Sequence, residues 1–314
     1  MLLSKALSHW SLPPETTVAL LAERENRVYR VDEPSEGTRQ PTILRVHRQG
    51  YRSDAEVLSE LQWMTHLADN GLTVPSVIPT NEKALLVDVD GFQIDRLTWL
   101  TGQPMGRSNQ PLNIPDRTGT FKQIGETMAR LHKISDDWQL PENFTRTHWD
   151  HDGFLGEQPL WDRFWDNPQL TMSQRDLLIA ARDKASQQLK SNADSLDYGL
   201  IHADIVRENI LLSDDGIQLL DFDDGGFGFR LFDVATTLFK NRIEPGYPDL
   251  EKALLEGYHS VRPLDVQSLP LFTLLRSFTY VGWIISRIHE NGSQQRADGF
   301  IATATELAEE YLTA

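Results

Sequence analysis

The chain of 314 residues contains no cysteine. Disulfides, thiolate metal sites and cysteine nucleophiles are therefore excluded together. No apolar run approaches the roughly 18 residues that a membrane-spanning helix needs. The N-terminus, MLLSKALSHW, does not resemble a signal peptide with its cleavage site. We therefore expect a cytoplasmic protein that does not bind membranes.

Basic residues are few, with 30 Lys and Arg against 46 Asp and Glu and a net charge of -16. This balance argues against nucleic acid or an anionic membrane as the main partner. It is compatible with a cationic substrate, although solubility alone would also account for it. Hydrophobic residues make up 39% of the chain, enough at this length for one large domain or two lobes. Nothing in the sequence indicates an oligomeric state.

Polar and acidic residues concentrate between residues 200 and 239. Asp204 and Asn209 lie five residues apart on a predicted loop, and a short apolar strand follows them. The turn Asp214-Asp215-Gly216 predicts a hairpin, whose second strand ends at Asp221. Carboxylate and carboxamide oxygens are the ligands that hard cations prefer, magnesium above all. The pattern therefore predicts a compact oxygen-ligand site.

The order H-x-D-x-x-x-x-N, hairpin, D-F is the arrangement of kinase active sites. It differs from protein kinases, because Ala203 stands where H-R-D has arginine and Asp223 where D-F-G has glycine. The stretch instead resembles the aminoglycoside phosphotransferase and choline kinase-like family, which includes a class of homoserine kinases. That family usually has H-G-D in this loop, so Ala203 is a departure from its pattern.

The resemblance implies an α+β, bilobal, protein-kinase-like fold with a small antiparallel-sheet N-lobe and a larger, mainly helical C-lobe. It implies that Asp204 orients the substrate hydroxyl and accepts its proton. Asn209 and Asp221 would hold magnesium on the phosphates of ATP. His202 is expected to be a buried scaffold residue, and Asp233 to cap a helix or brace the loop.

A second set of residues is predicted to bind the nucleotide in the N-terminal lobe. Two β-rich runs meet at a tip that ends with Asn26, a candidate phosphate-loop residue or an ordinary hairpin turn. Arg45, on the next strand, occupies the position that presents a cation to the α- and β-phosphates. Glu56 and Glu60 lie on the helix predicted for residues 53–70, and either could pair with Arg45. The distance to Val74-Pro75 resembles the family's spacing and favours Glu60.

The segment that follows the next predicted hairpin resembles the family's hinge, whose backbone binds adenine. Its members here are Leu97, Thr98, Trp99 and Leu100. We place the only boundary there, with a nucleotide-binding lobe over residues 1–97 and a catalytic and substrate-binding lobe over 98–314. In the aromatic and acidic region 148–165, Trp149, Asp150 and Asp152 could frame an acceptor pocket.

The predicted function is ATP-dependent transfer of the γ-phosphate to a hydroxyl of a small molecule, such as an aminoglycoside, an amino alcohol or a homoserine-like compound. Only a short segment separates Asp221 from the next helix, too short for a regulated peptide platform. A protein serine/threonine kinase of the same fold remains the alternative. A non-catalytic nucleotide-binding regulator and a metal-dependent hydrolase also stay open.

Overall fold

The computed structural model describes residues 2–23, 26–34, 40–108 and 110–314. Within them the strands are β1 Thr17–Glu23, β2 Arg27–Asp32, β3 Thr42–Val46, β4 Val87–Val89, β5 Phe92–Thr98, β6 Gln103–Pro104, β7 His148–Trp149, β8 Tyr198–Ile201, β9 Ile210–Ser213, β10 Gly216–Leu219 and β11 Gly226–Phe229. The helices are α1 Leu2–Ser8, α2 Asp54–Asp69, α3 Arg117–Asp136, α4 His151–Leu155, α5 Met172–Asn192, α6 Arg230–Phe239, α7 Tyr247–His259, α8 Leu269–Trp283 and α9 Ser293–Thr313.

The chain divides into two compact units, each made of several segments. The first comprises residues 1–104, 137–146 and 210–223, and the second comprises residues 105–136, 147–209 and 224–314. In the first unit, five antiparallel strands form a sheet in the order β1-β2-β3-β5-β4. Its core consists of apolar side chains from the sheet and from the N-terminal segment: Ala6, Trp10, Val31, Leu44, Val46, Val89 and Ile94.

Helix α2 completes this unit together with a small sheet in the order β10-β9-β6. Ser53 caps α2 by accepting a hydrogen bond from the Glu56 backbone, and the Glu56 side chain accepts one from the Ser53 backbone. This reciprocal capping box fixes the start of the helix. Trp63 of α2 packs edge-on against Phe222, which follows the hairpin β9-β10. The helix is thereby anchored beside the segment that contains Asp221.

Strand β4 begins at Val87, directly after a short ordered segment. The backbone N–H of Thr80 donates to the carbonyl of Ala84, and the Thr80 hydroxyl accepts from the Ala84 N–H. Lys83 adopts a left-handed conformation with φ of 65°. Residues 80–84 thus form a closed turn, which leaves Ala84 without a place in the β-ladder.

The second unit is mainly helical and contains the three-stranded sheet β7-β11-β8. Helices α3 and α7 cross at two glycines. A methyl group on Gly125 would lie 2.0 Å from the carbonyl oxygen of Leu254, and one on Gly257 would lie 1.9 Å from that of Lys122. Because real Cβ atoms do not approach so closely, only glycine at both positions permits this backbone contact.

Helix α6 follows β11 and is buried on all sides. Helix α8 packs against both α6 and α9. Among the described residues, 269–287 is the segment whose length and composition would allow it to cross a membrane, but most of it is buried within the second unit. Core helices of soluble proteins share this property.

Candidate active site

Asp204 lies on the loop of residues 202–209 between β8 and β9, and both of its carboxylate oxygens are held. The amide nitrogen of Asn209 donates to its Oδ2 at 2.9 Å and to its backbone carbonyl at 3.0 Å. Arg276 of α8 donates to its Oδ1 at 2.7 Å. The Asp204 side chain is nevertheless 26% exposed. A carboxylate that is fixed in direction yet open to solvent suits a group that must orient a substrate hydroxyl.

Asp233, in the first turn of α6, braces this loop. Its Oδ1 accepts from the backbone N–H of Ala203 at 2.7 Å, and its Oδ2 accepts from that of His202 at 2.9 Å. The Nε2 of His132 lies 2.9 Å from the same Oδ2. Burial opposes the charge on Asp233, but the hydrogen bond with His132, the neighbouring histidines and the hydrogen bond from the His202 backbone together outweigh burial, and the pKa of Asp233 lies below its usual value. An ionised, buried carboxylate therefore holds the start of the loop.

Ala203 adopts the left-handed conformation with φ of 64°. This region is costly for a residue with a side chain. The hydrogen bond from its N–H to Asp233 stabilises the conformation, which turns the chain directly before Asp204. His202 is fully buried, and its Nδ1 accepts from the backbone N–H of Asp204 at 3.3 Å.

Arg276 and Lys240 are charged neighbours of Asp204 that the sequence analysis did not identify. Arg276 donates to the Tyr280 hydroxyl at 2.8 Å as well as to Asp204. The ammonium of Lys240 lies over the rings of Tyr280 and Phe300, at 3.9 and 4.8 Å from their centres. Burial, assisted by the positive charge of Arg276, lowers the pKa of Lys240 to about 8. Two cations therefore lie on the helical side of the proposed catalytic carboxylate.

Asp221 belongs to the first unit and follows β10. Its φ is 66°, again in the left-handed region. Non-glycine residues in this region are uncommon and concentrate at functional sites, where the surrounding structure holds them in place. Asp221 is thus presented by a tight backbone turn.

Arg45 is buried among carboxylates of the same unit. Its Nη1 donates to Glu60 at 2.7 Å, while its Nε and Nη2 donate to Asp95 at 3.0 and 2.9 Å. His47 lies 2.6 Å from Asp95 on the other side. Of the two glutamates considered for Arg45, it is Glu60 that makes the ion pair, whereas Glu56 is committed to the capping box of α2. The contact of Arg45 with phosphate stays a prediction.

Asn26 adjoins Arg24 and Glu25, which lie outside the described residues. Its Oδ1 accepts a 3.3 Å hydrogen bond from the backbone of Arg48. This contact lies next to the Arg27–Val46 pair of strands β2 and β3, and it is compatible with either role considered for Asn26.

The four predicted adenine-binding residues lie at the end of β5 and directly after it. Leu97 is buried, while Thr98, Trp99 and Leu100 are partly exposed. Thr98 exchanges hydrogen bonds with Ser76 through its N–H and its hydroxyl, both at 2.9 Å. The segment is held by its neighbours within the first unit, and its contact with adenine stays a prediction.

The role of Trp149, Asp150 and Asp152 as the frame of an acceptor pocket stays a prediction, and the structure shows the contacts that each of them makes within the protein. Trp149 is buried, and its indole donates to the carbonyl of Asp224 at 2.8 Å. Asp150 is the N-cap of α4, where it accepts from the Gly153 N–H. Asp152 is exposed and lies 2.9 Å from His151. Trp149 and Asp150 therefore have defined structural contacts in this region.

Asn209 and Asp221 each carry an oxygen donor of the type that magnesium binds. The described residues contain no cluster of three or more His, Cys, Asp or Glu that would enclose a metal by themselves. Among the described residues, the side-chain hydrogen bonds of Asn209 are donated by its amide nitrogen, and its side-chain carbonyl oxygen is the atom that can bind a cation. Asp221 supplies a carboxylate. One or two side-chain oxygens are what magnesium takes from proteins when phosphates and waters supply the rest.

The sequence model of the phosphotransferase enzyme family matches residues 16–264 of this chain. The chain belongs to the phosphotransferase enzyme family. It is an enzyme of the kinase type, and the predicted resemblance is confirmed.

Individual relatives of this phosphotransferase agree with that result. The solved structure of a microcompartment-associated aminopropanol kinase is 30% identical, with a TM-score of 0.84, and the match covers 99% of this chain and 97% of that one. Amicoumacin kinase of Bacillus subtilis is 26% identical over an alignment of 284 residues, and the match covers 84% of this chain and 79% of that protein. Homoserine kinase of Ralstonia nicotianae is 29% identical over an alignment of 241 residues, and the match covers 71% of this chain and 66% of that protein. The prediction of a protein-kinase-like fold is confirmed.

Proposed function

We propose that this phosphotransferase moves the γ-phosphate of ATP to a hydroxyl of a small molecule, with magnesium as the metal. The observation that carries the proposal is the fixed carboxylate of Asp204, held on one oxygen by Asn209 and on the other by Arg276. Phosphoryl transfer requires little covalent chemistry from the protein, so positioning and electrostatics dominate.

In this proposal Asp204 accepts a hydrogen bond from the acceptor hydroxyl and aims its oxygen at the γ-phosphorus. Asn209 and Asp221 are the metal ligands, an assignment that rests on their spacing in the sequence. The chemistry that magnesium supplies is neutralisation of the charge on the phosphates. Arg45, kept in place by Glu60, faces the phosphates that do not react.

The acceptor is proposed to be a small hydroxyl compound of the kind that the named relatives use. Those relatives are named for aminopropanol, amicoumacin and homoserine, and none of the three is a protein kinase. Aminopropanol and homoserine both carry an amino group beside a hydroxyl. The net charge of -16 would favour such cationic groups at long range. A cytoplasmic location belongs to the same proposal.

The test is Asp204→Asn, assayed by ADP release with a panel of acceptors that includes aminopropanol, homoserine, choline and an aminoglycoside. We expect the turnover number to fall by about a hundred- to ten-thousand-fold. Thermal stabilisation by ATP with magnesium should persist, because other residues are proposed to bind the nucleotide. Asp214→Asn is the matched control, since Asp214 lies exposed in the β9-β10 turn.

Turnover of Asp204→Asn within about twofold of wild type would remove Asp204 from the reaction. Label transfer from ATP to protein, with no ADP release from any small acceptor, would instead favour a protein kinase.

A further inference from the structure

Arg146 ends the 137–146 segment of the first unit, and its side chain is only 1% exposed. Its Nη2 donates to two consecutive backbone carbonyls, those of Phe222 at 2.9 Å and Asp223 at 2.7 Å. These carbonyls belong to the two residues directly after Asp221. Arg52 also donates to the Asp223 carbonyl, at 3.2 Å. Two guanidinium groups therefore fix the backbone directly after Asp221.

The other terminal nitrogen of Arg146 contacts helix α2. Its Nη1 donates to the carbonyl of Glu56 at 3.0 Å and to the Oε2 of Glu60 at 3.3 Å. Because the guanidinium is planar and rigid, a single side chain fixes the distance and angle between α2 and the turn after Asp221. A lysine at this position could not span both sets of acceptors.

Glu60 connects this arrangement to Arg45. Its Oε1 accepts from Arg45 at 2.7 Å while its Oε2 faces Arg146, so one carboxylate bridges two guanidinium groups. Burial of Glu60 opposes its charge, but Arg45 and Arg146 outweigh burial and its pKa lies below the usual value. The bridge is therefore ionised at neutral pH. A continuous path of charge-assisted contacts runs from Arg45 through Glu60 and Arg146 to the turn.

We propose that Arg146 is a positioning residue of the phosphotransfer reaction. It holds the backbone that presents Asp221 to the metal, and it ties that backbone to the Glu60–Arg45 pair that faces the phosphates. The metal carboxylate and the phosphate-facing cation then keep one fixed geometry within the first unit. This inference rests on the proposed function, because it takes Asp221 as a metal ligand and Arg45 as a phosphate contact.

The test compares Arg146→Lys and Arg146→Met with wild type in a titration of free Mg²⁺ at saturating ATP and acceptor. Residues that orient a metal ligand typically change metal affinity by about 10- to 100-fold. We expect the half-saturating Mg²⁺ concentration to rise by at least about tenfold in Arg146→Met and by less in Arg146→Lys. Arg146→Lys keeps the charge opposite Glu60, so it tests the geometry even where Arg146→Met is too unstable to assay.

Arg96→Lys is the matched control, because Arg96 is also a buried arginine of the first unit and bonds to Thr42 and Glu33 instead. It should lower the melting temperature without altering the Mg²⁺ requirement. A purely structural Arg146 would behave like Arg96, with a stability loss and an unchanged half-saturating Mg²⁺ concentration. That result would overturn the inference.

Different results would contradict the proposed function and the positioning role of Arg146. If wild-type protein shows no Mg²⁺-dependent transfer to any acceptor, the proposed function fails. If wild type requires Mg²⁺ and the Arg146 variants require the same concentration, only the positioning role fails.

Discussion

His132 should make the stability of the second unit fall as the pH drops below neutrality. Its side chain is fully buried between Asp233 and Tyr258, with Nε2 2.9 Å from a carboxylate oxygen and Nδ1 2.8 Å from the tyrosine hydroxyl. Burial lowers the pKa of His132 to about 4, and the positive charge of Arg230 adds to this while Asp233 opposes it. Burial also raises the pKa of Tyr258, which therefore stays a hydrogen-bond donor to Nδ1.

The direction of the pH dependence follows from the protonation of His132 in the folded and unfolded states. An unfolded histidine titrates near pH 6.5, so between pH 6.5 and about 4 the unfolded chain binds a proton that the folded protein does not. The stabilisation is complete above pH 6.5 and is lost as the pH falls through this window. The loss from this residue is about 2 kcal/mol between pH 7 and 5, and about 3 kcal/mol by pH 4.

Urea unfolding at pH 7, 6 and 5, followed by tryptophan fluorescence, measures the effect. His132→Gln retains an N–H donor for Asp233 but cannot titrate, so its unfolding free energy should lose about 2 kcal/mol less than wild type over this range. His289→Gln, at an exposed histidine, should retain the wild-type dependence. Equal pH dependence in wild type and His132→Gln would show that His132 titrates normally in the fold, and would refute the reasoning.

Three further outcomes are expected. Asp221→Asn should lose magnesium-dependent ATP binding in calorimetry, because the amide keeps the shape without the charge; unchanged affinity would contradict the metal assignment. Arg276→Met should lower the turnover number at least about tenfold while the Michaelis constant for ATP stays unchanged, because it releases one oxygen of Asp204. The pKa of Lys240 is lowered to about 8 in the folded protein, so between pH 8 and 10.5 the unfolded chain binds more protons than the folded one. As the pH rises through this range, the free energy of unfolding of the wild type, measured with urea, should therefore increase by about 2 to 3 kcal/mol relative to that of Lys240→Met. Parallel curves for the two proteins would show that Lys240 is solvated.

The local parts of the site were predictable because their geometry is set by short spacings. Asp204 and Asn209 lie on one loop, and the hairpin to Asp221 follows from its turn residues. The choice between Glu56 and Glu60 could also have been made from the sequence. Ser53 and Glu56 form the S-x-x-E signature of a capping box, which commits Glu56 to the helix start and leaves Glu60 for Arg45.

The long-range supports were not predictable from one sequence. Arg276 lies 72 residues from Asp204, and Arg146 lies 76 residues from Phe222. Each is an arginine with no motif around it, and only the folded path of the chain brings it to its partner. The same holds for His132, whose hydrogen bonds with Asp233 and Tyr258 connect α3 and α7 to the 202–209 loop. The cue would have been a histidine on an otherwise apolar helix face.

The glycine crossing of α3 and α7 limits which mutations this enzyme can accumulate. His132 and Tyr258 lie on the same two helices as Gly125 and Gly257, and their rings are 5.7 Å apart. An alanine at either glycine would force the helix backbones apart and so separate that pair, which in turn steadies Asp233. A single added methyl group on Gly125, more than a helix turn from His132, would therefore be enough to reduce the activity of the enzyme.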